Sequence, residues 1–383
     1  MHKLRAKSNL VLGFLSAIAL LALIVVENSI HNERQDWYEE KLQAAKLSQE
    51  AALYLKNHRL EEGIFIDNIN DPNETALIGQ ESSLITTDRG NIEAKLSSTN
   101  PNIAAVIVQY LKDAGVKEGD YVAVGATGSF PALNISVIAA LEVLKVKPIF
   151  ISSVGASDFG ANDPYFTWLD MESILNDAGI LQTKSVAASI GGGSDLGRGL
   201  SSDGRQLILD AIERNNVPLI NGDNLLQNID RRMEIYNTES KGQPIKAYIN
   251  IGGGIASLGH TVNSELIPSG LTLNMVMHNY PIRGVIIQMG AKGVPIIQLM
   301  NLNEILEEHN LPESPVPMPQ PGSGGIFIHK KYDLLTTSIA TVILIVLIIL
   351  VYLSERKYHK LGTQTVPFQS MPKQENDDFT NGL

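Results

Sequence analysis

The stretch Gly125-Ala-Thr-Gly-Ser-Phe-Pro-Ala-Leu-Asn134 joins the apolar run Tyr121 to Val124 to a long apolar helix that starts at Pro131. A glycine-rich turn at such a junction lies where an α/β sheet commonly places a binding site. Gly125 and Gly128 can take positive φ and let a ligand approach the backbone, while Pro131 presets φ for the first helical turn. Unpaired N–H groups around Gly128, Ser129 and Phe130 would then face an anion. The same residues also suit a plain structural turn with Ser129 as a local cap, and both readings stand at this stage.

Two further segments, Ala188-Ser-Ile-Gly-Gly-Gly193 and Tyr248-Ile-Asn-Ile-Gly-Gly-Gly254, put a glycine triplet straight after a strand. The carboxyl ends of parallel strands share one edge, so the three loops should converge on one cleft. The expected ligand-binding set is Gly125, Gly128, Ser129, Gly191, Gly192, Gly193, Ser194, Gly252, Gly253 and Gly254. Arg198 is the expected counter-charge and Arg205 a second one, since a guanidinium fork with a helix N-terminus suits a carboxylate.

Covalent chemistry has fewer complete patterns. Ser129, Ser157 and Ser194 all sit in glycine-rich turns, yet none matches Gly-x-Ser-x-Gly, and Gly155-Ala-Ser157-Asp-Phe-Gly160 is the nearest. His260 or His278 could serve as base and Asp158, Asp163, Asp195 or Asp223 could orient it, which makes Ser129, His260 and Asp195 the candidate catalytic residues. Metal-ligand spacings are lacking, and Asp195, Asp223 and Asn221 read as helix caps, so no metal site is expected. A dinucleotide fingerprint fails at its third glycine, replaced by Pro131 or Ala132, and at its acidic partner, where Ile151-Ser152-Ser153 stands. No cofactor is expected. The absence of a Gly-x-x-x-x-Gly-Lys-Ser/Thr loop excludes an ATP-dependent ligase.

Positioning these loops requires a regular scaffold, and the chain supplies one. A helix is expected from Asn100, as N-cap, to Gly115. Strand Tyr121 to Ala126, helix Pro131 to Lys145, strand Ile149 to Ser153, helix Leu169 to Ala178 and strand Ser185 to Ile190 follow. Next come helix Asp203 to Asn215, strand Val217 to Ile220, helix Leu225 to Tyr236 and strand Ala247 to Ile251. Helix Arg283 to Ala291, strand Pro295 to Leu299 and helix Asn303 to His309 close the series. Short Val/Ile runs alternating with helical patterns specify an α/β fold, a mainly parallel Rossmann-like sheet with helices on both faces.

Apolar runs 10–26 and 334–353 bracket this scaffold, each long enough to cross about 30 Å of hydrocarbon. Lys3, Arg5 and Lys7 precede the first, and Arg356, Lys357 and Lys360 follow the second. The positive-inside rule therefore expects a two-pass protein of the bacterial plasma membrane with both termini cytoplasmic and the main domain extracytoplasmic. No small-x-small cleavage site follows the first run, so an uncleaved anchor is expected. Residues 1–9 and 354–383 form the cytoplasmic ends, 27–60 a stalk helix continuing the first span or, equally, a solvated helix packing on the domain, 61–311 the α/β domain, with irregular structure or short strands over 61–99, and 312–333 a Pro/Gly linker. The chain has 30 basic and 41 acidic residues, a net charge of −11, and no cysteine. Disulfides, thiol nucleophiles and thiolate metal sites are excluded, and an acidic surface is a poor sink for nucleic acid.

Three segments, Leu77-Ile-Gly-Gln-Glu-Ser-Ser-Leu-Ile-Thr-Thr87, Ala94-Lys-Leu-Ser-Ser-Thr-Asn-Pro101 and Gly119-Asp-Tyr-Val-Ala-Val-Gly-Ala-Thr-Gly-Ser-Phe-Pro-Ala-Leu-Asn134, resemble the bacterial poly-γ-glutamate system protein family. Ile-Asn-Ile-Gly-Gly-Gly254 and the two-span layout fit as well, and the likeness extends over Ser8 to Leu353. It implies a membrane component acting beside the poly-γ-glutamate ligase and the multispan membrane subunit in synthesis and export, with poly-γ-glutamate itself as a ligand. It implies no catalytic residues. The expectation is an accessory, non-catalytic subunit with a local carboxylate-binding cleft; the alternative is an extracytoplasmic hydrolase or transferase acting on that or another acidic polymer.

Overall fold

A computed structural model of the chain describes residues 9–362. It divides into two units, Arg34–His329 and a second formed by the described residues that precede and follow it. The chain opens with helix α1 (Asn9–Glu27) and strand β1 (His31–Arg34), then enters α2 (Tyr38–Glu61), α3 (Ile92–Ser98) and α4 (Ile103–Asp113). Strand–helix alternation follows: β2 (Tyr121–Thr127), α5 (Pro131–Val143), β3 (Lys147–Ser153), α6 (Trp168–Asp177), β4 (Ser185–Ser189), α7 (Ser202–Arg214), α8 (Leu225–Glu239) and β5 (Ile245–Ile251). Two short helices, α9 (Ile255–Leu258) and α10 (Asn263–Leu266), lead to β6 (Gly270–Thr272), α11 (Val285–Ala291), β7 (Ile296–Leu299) and α12 (Leu302–Glu308). Strand β8 (Ile328–Lys331) and helix α13 (Leu334–Gly362) end the series.

Six strands form the central sheet in the order β4-β3-β2-β5-β7-β6. All pairs are parallel except β6 with β7 at the edge. Alternate residues of the strands feed two apolar layers. Val122, Val124 and Ile249 face α2, α4 and α5, whereas Ala123, Ile149 and Tyr248 face α8 and α11. Burial on both faces explains why the strands carry apolar stretches such as Val122–Val124 and Ile149–Ile151 without a regular polar alternation. The chain winds outward from β2 through β3 to β4, then returns to β5 on the other side of β2. That reversal makes the β2/β5 border the switch point, where an open α/β sheet leaves a crevice at its carboxyl edge.

Several segments differ from the sequence expectation. The expected stalk, 27–60, is broken by β1, and α2 is a core helix of the α/β unit. Its Ala44, Ala45, Ser48 and Ala51 are buried, and small side chains let it lie close against α4 and α5. Ser48 Oγ meets Ser136 Oγ at 3.1 Å, and buried Lys41 donates to the Ile326 carbonyl at 3.1 Å. Burial pulls the Lys41 ammonium down to about 8. Val217 to Ile220 forms only a single bridge, Ala188 with Leu219, in place of the expected strand. The 61–99 segment holds one helix, α3, whose cap Asn91 accepts the Ala94 N–H at 2.8 Å.

The Pro/Gly segment 312–333 is no free linker up to Phe327. Pro315 O accepts from Asn73, Ser314 N donates to Ser97 Oγ, and Asn102 binds Gln320 O and Gly322 N. Ile326 and Phe327 are buried in the main apolar cluster, with Phe327 edge-on to Tyr38 at 6.1 Å. Prolines fix φ and remove N–H donors along this strap, and the Pro315 and Gln320 carbonyls accept from Asn73 and Asn102. Phe327→Ala should therefore cost about 3–5 kcal/mol, read as a lower urea midpoint of the full chain in detergent.

Helices α1 and α13 pack against each other and are each long and apolar enough to cross a membrane. Their side chains are almost wholly exposed, as lipid-facing helices require, and the chain is thereby compatible with a two-pass membrane protein. Lys3, Arg5 and Lys7, and the tail beyond residue 362, lie outside the described residues.

Candidate functional site

A cleft of about 630 Å³ opens at the carboxyl edge of the sheet, over the switch point. Loops leaving β2, β3, β4 and β5 all contribute to it, and Ser129, Gly191, Gly192, Gly193, Gly253 and Gly254 of the expected set line it. Convergence of the three glycine loops thus follows from the parallel topology.

The loops are tied to one another. Gly128 N donates to Ser153 O, Ala161 N to Gly128 O and Ser157 N to Ser129 Oγ, so the β2 and β3 loops form one rim. A side chain at Gly128 would press into the Val154 carbonyl. Thr127 Oγ1 donates to Ile251 O, and a Cβ at Gly252 would lie 2.7 Å from that hydroxyl oxygen, which draws the β5 loop against β2. Neither Gly125 nor Gly128 has a left-handed backbone; close packing requires both. Gly125 lies beneath the Tyr248 hydroxyl, inside the strand and away from the cleft. Gly191 and Gly192, at φ 80° and 63°, do use the left-handed region, which lets the β4 loop fold back so that Gly197 N reaches Gly191 O at 2.7 Å.

Among the described residues, the backbone N–H groups of Ser129, Phe130, Gly253 and Gly254 have no protein acceptor. These are donors for an anion on both sides of the switch point. Gly128 N, by contrast, is already committed to Ser153.

The expected counter-charges are elsewhere. Arg198 is exposed and does not line the cleft, because the bridge from Gly193 to Arg198 turns that part of the loop outward. Arg205 donates to the Leu200 carbonyl at 2.7 Å. Their place is taken by Arg89, exposed at the rim, and Lys95, buried in the wall; Asp88, beside Arg89, and Glu304 line the same opening. Lys95 reaches in from α3, and its Nζ donates to the Ser129 carbonyl, lies 2.8 Å from Ser157 Oγ and stands 4.0 Å over the Phe130 ring. Burial pulls the Lys95 ammonium down to about 7, with Asp158 opposing. One sequence signal pointed there: lysine occupies a position between Ile92 and Thr99 that helical spacing turns inward.

Among the described residues no hydrogen bond links Ser129, His260 and Asp195 to one another. Ser129 Oγ accepts from Ser157 N, and His260 Nδ1 accepts the Val262 N–H at 3.2 Å in an exposed turn. Asp195 lies at the cleft floor, 1% exposed, paired with Arg232 Nη2 at 3.0 Å and hydrogen-bonded by Ser153, Ser189 and Asn228. It is a buried anchor of the β4 loop. Asp223 and Asn221 are exposed, and Asn224, not Asp223, caps α8 by accepting the Gln227 N–H. Ser194 lies beside the cleft with a left-handed φ of 58° and does not line it.

No family model, curated protein or solved structure matches the chain. The likeness to poly-γ-glutamate system proteins rests on the residues quoted above, and the functional reading rests on the geometry of the cleft.

Proposed function

We propose that the chain is a two-pass protein of the bacterial plasma membrane whose α/β unit lies outside the cell, with both termini cytoplasmic, and binds a carboxylate-bearing ligand in the switch-point cleft. The observation that carries the proposal is the placement of Arg89, Lys95 and the open N–H groups of two glycine loops around one opening. A carboxylate suits a guanidinium together with backbone N–H donors. The rim is mixed in sign, since Asp88 and Glu304 face the same space. Such a rim selects a short zwitterionic γ-glutamyl chain end over the anionic body of a polymer. This reconciles an acidic protein with an acidic product, and supports an accessory role beside the poly-γ-glutamate ligase and the multispan subunit. The alternative, a hydrolase or transferase, is favoured by one contact, Lys95 with Ser157.

Calorimetric titration of the full chain in detergent with γ-linked diglutamate tests the ligand. Saturable binding is expected, weakened about tenfold by Arg89→Ala, in line with loss of about 1.4 kcal/mol from one charge-assisted contact. Equal affinity in wild type and Arg89→Ala would refute it. For the partners, a tagged chain should retain the ligase and the multispan subunit on purification from membranes; their loss under mild detergent would count against the accessory role.

A further inference from the structure

We infer that Lys95 and Ser157 form a base–nucleophile pair for acyl transfer, acting on an amide or ester carbonyl brought into the switch-point cleft. The substrate class, an acyl compound that also carries a carboxylate, rests on the binding proposal; the activation of Ser157 does not.

The argument begins with where the two residues are. Ser157 lies in the turn after β3, on the cleft wall, and Lys95 projects from α3 behind it. Nζ stands 2.8 Å from Oγ, within reach for direct proton transfer. Lys95 is 2% exposed and no carboxylate forms an ion pair with it among the described residues. A lysine that served only to brace loops would gain from an ion-pair partner, which here is replaced by a carbonyl and an aromatic face. Desolvation favours the neutral amine, the form able to accept a proton, with the Asp158 carboxylate opposing it at longer range and not reversing it. The same Nζ is also fixed by donating to the Ser129 carbonyl, and in the structure it donates to Ser157 Oγ as well; loss of one proton leaves a lone pair with which the amine can accept from that hydroxyl. Ser129 is a positioning residue: its Oγ accepts the Ser157 N–H at 3.0 Å and holds the turn in place.

The chemistry closes with water as the second reactant. Lys95 Nζ takes the Ser157 hydroxyl proton as Oγ bonds to the substrate carbonyl carbon. N–H groups of the glycine loops are the donors available to the oxyanion. Collapse breaks the C–N or C–O bond, and the Lys95 ammonium returns its proton to the departing amine or alcohol. Water then attacks the acyl-serine, Lys95 accepts its proton, and the ester bond to Oγ breaks to release a carboxylic acid as Oγ is reprotonated. An amine in place of water would give transfer instead of hydrolysis.

The test is covalent labelling of the full chain in detergent by a fluorophosphonate, with the site read by peptide mass. An adduct on Ser157 is expected, with a rate that rises with pH through a midpoint near 7, the Lys95 value. Lys95→Met should slow labelling at least a hundredfold, and Ser157→Ala should abolish it. No adduct on Ser157 of the wild-type protein between pH 6 and 9, or an adduct on Ser129 in its place, would overturn the assignment. So would labelling of Ser157 at an unchanged rate in Lys95→Met. The wild-type experiment needs no variant to fold and uses a probe that carries no carboxylate, so failure of the dyad and failure of carboxylate binding are told apart.

Discussion

Replacing Asp195 by alanine is expected to remove about 3–5 kcal/mol from the stability of the Arg34–His329 unit, the largest loss foreseen for any single polar side chain here. The reason lies in what would remain. Arg232 is enclosed, with its side chain 4% exposed, and Asp195 at 3.0 Å is the acid that pairs with it. Burial opposes the guanidinium charge, yet Asp195 and the neighbouring groups hold Arg232 above its ordinary pKa. Without Asp195, the charge keeps only the hydroxyl oxygens of Ser153 and Ser189. Unpaired guanidinium cannot escape by losing its proton, so the penalty falls on folding. Urea unfolding of the full chain in detergent, followed through the buried Trp168, reads the loss. The double replacement Asp195→Leu with Arg232→Met should recover most of it, because it removes both charges together. A loss below about 1 kcal/mol for Asp195→Ala would mean that Arg232 finds another partner. Ligand affinity should fall in parallel, since Asp195 anchors the β4 loop that carries Gly191 to Gly193 into the cleft.

The second large effect is a pH-dependent gain. Lys95 titrates near 10.5 when the chain is unfolded and near 7 in the fold, so the native state holds fewer protons between those values. A depressed folded pKa means full stability above pH 10.5, lost progressively as pH falls towards 7. The 3.5-unit gap sets a ceiling of roughly 5 kcal/mol at 1.36 kcal/mol per unit. Lys95→Met fills a similar volume without the charge. Its stability relative to wild type should therefore climb by about 4 kcal/mol when pH is lowered from 10 to 6, read from urea midpoints. Glu172, pushed up to about 7 by burial, works in the opposite direction, with stability lost as pH rises from its unfolded value of 4.5 through 7. It is common to both proteins and cancels in the difference, as does Lys41. A flat difference between pH 6 and 10 would mean that Lys95 keeps its proton in the fold, which would remove the base from the acyl-transfer inference. A gain in stability on loss of a cleft residue is the behaviour of a group held for function at a structural cost.

The two predictions separate roles that look alike at the residue level. Both Asp195 and Lys95 are buried charges lining one cleft. Asp195 has its counter-ion beneath it, and removal harms the fold. Lys95 has no ion-pair partner among the described residues, only Asp158 at longer range, and removal should relieve it.

Local pattern carried the sequence reading a long way. Val/Ile runs alternating with helical spacing specified the parallel sheet, and parallel strands put Gly128–Ser129, Gly191–Gly193 and Gly253–Gly254 on one edge, because strand direction alone decides where carboxyl ends lie. Leu10 to Val26 and Leu334 to Leu353 were legible as helices long and apolar enough to cross a membrane, because length and polarity belong to the segment itself and no neighbour alters them. What the sequence left open were facts about neighbours. The inward face of α2 depends on α4 and α5, and its small side chains gave no amphipathic stripe to betray it. Proline spacing described the 312–327 strap as extended, but only the pockets that receive Ile326 and Phe327 made it part of the core. Gly125 and Gly252 share a residue type with Gly253, yet the first two face Tyr248 and Thr127 while a Cβ at Gly253 would meet only Met300, at 3.8 Å, beside the cleft. Arg198 follows its glycine triplet by a few residues and is turned away by a bridge, whereas Lys95 meets Ser157 across 62 positions of sequence. Periodicity reports which way a side chain points from its own element; it carries no information on which distant element it meets. The edge of the sheet was thus decided by the sequence, and the chemistry at that edge by the packing of α3 behind the β3 loop.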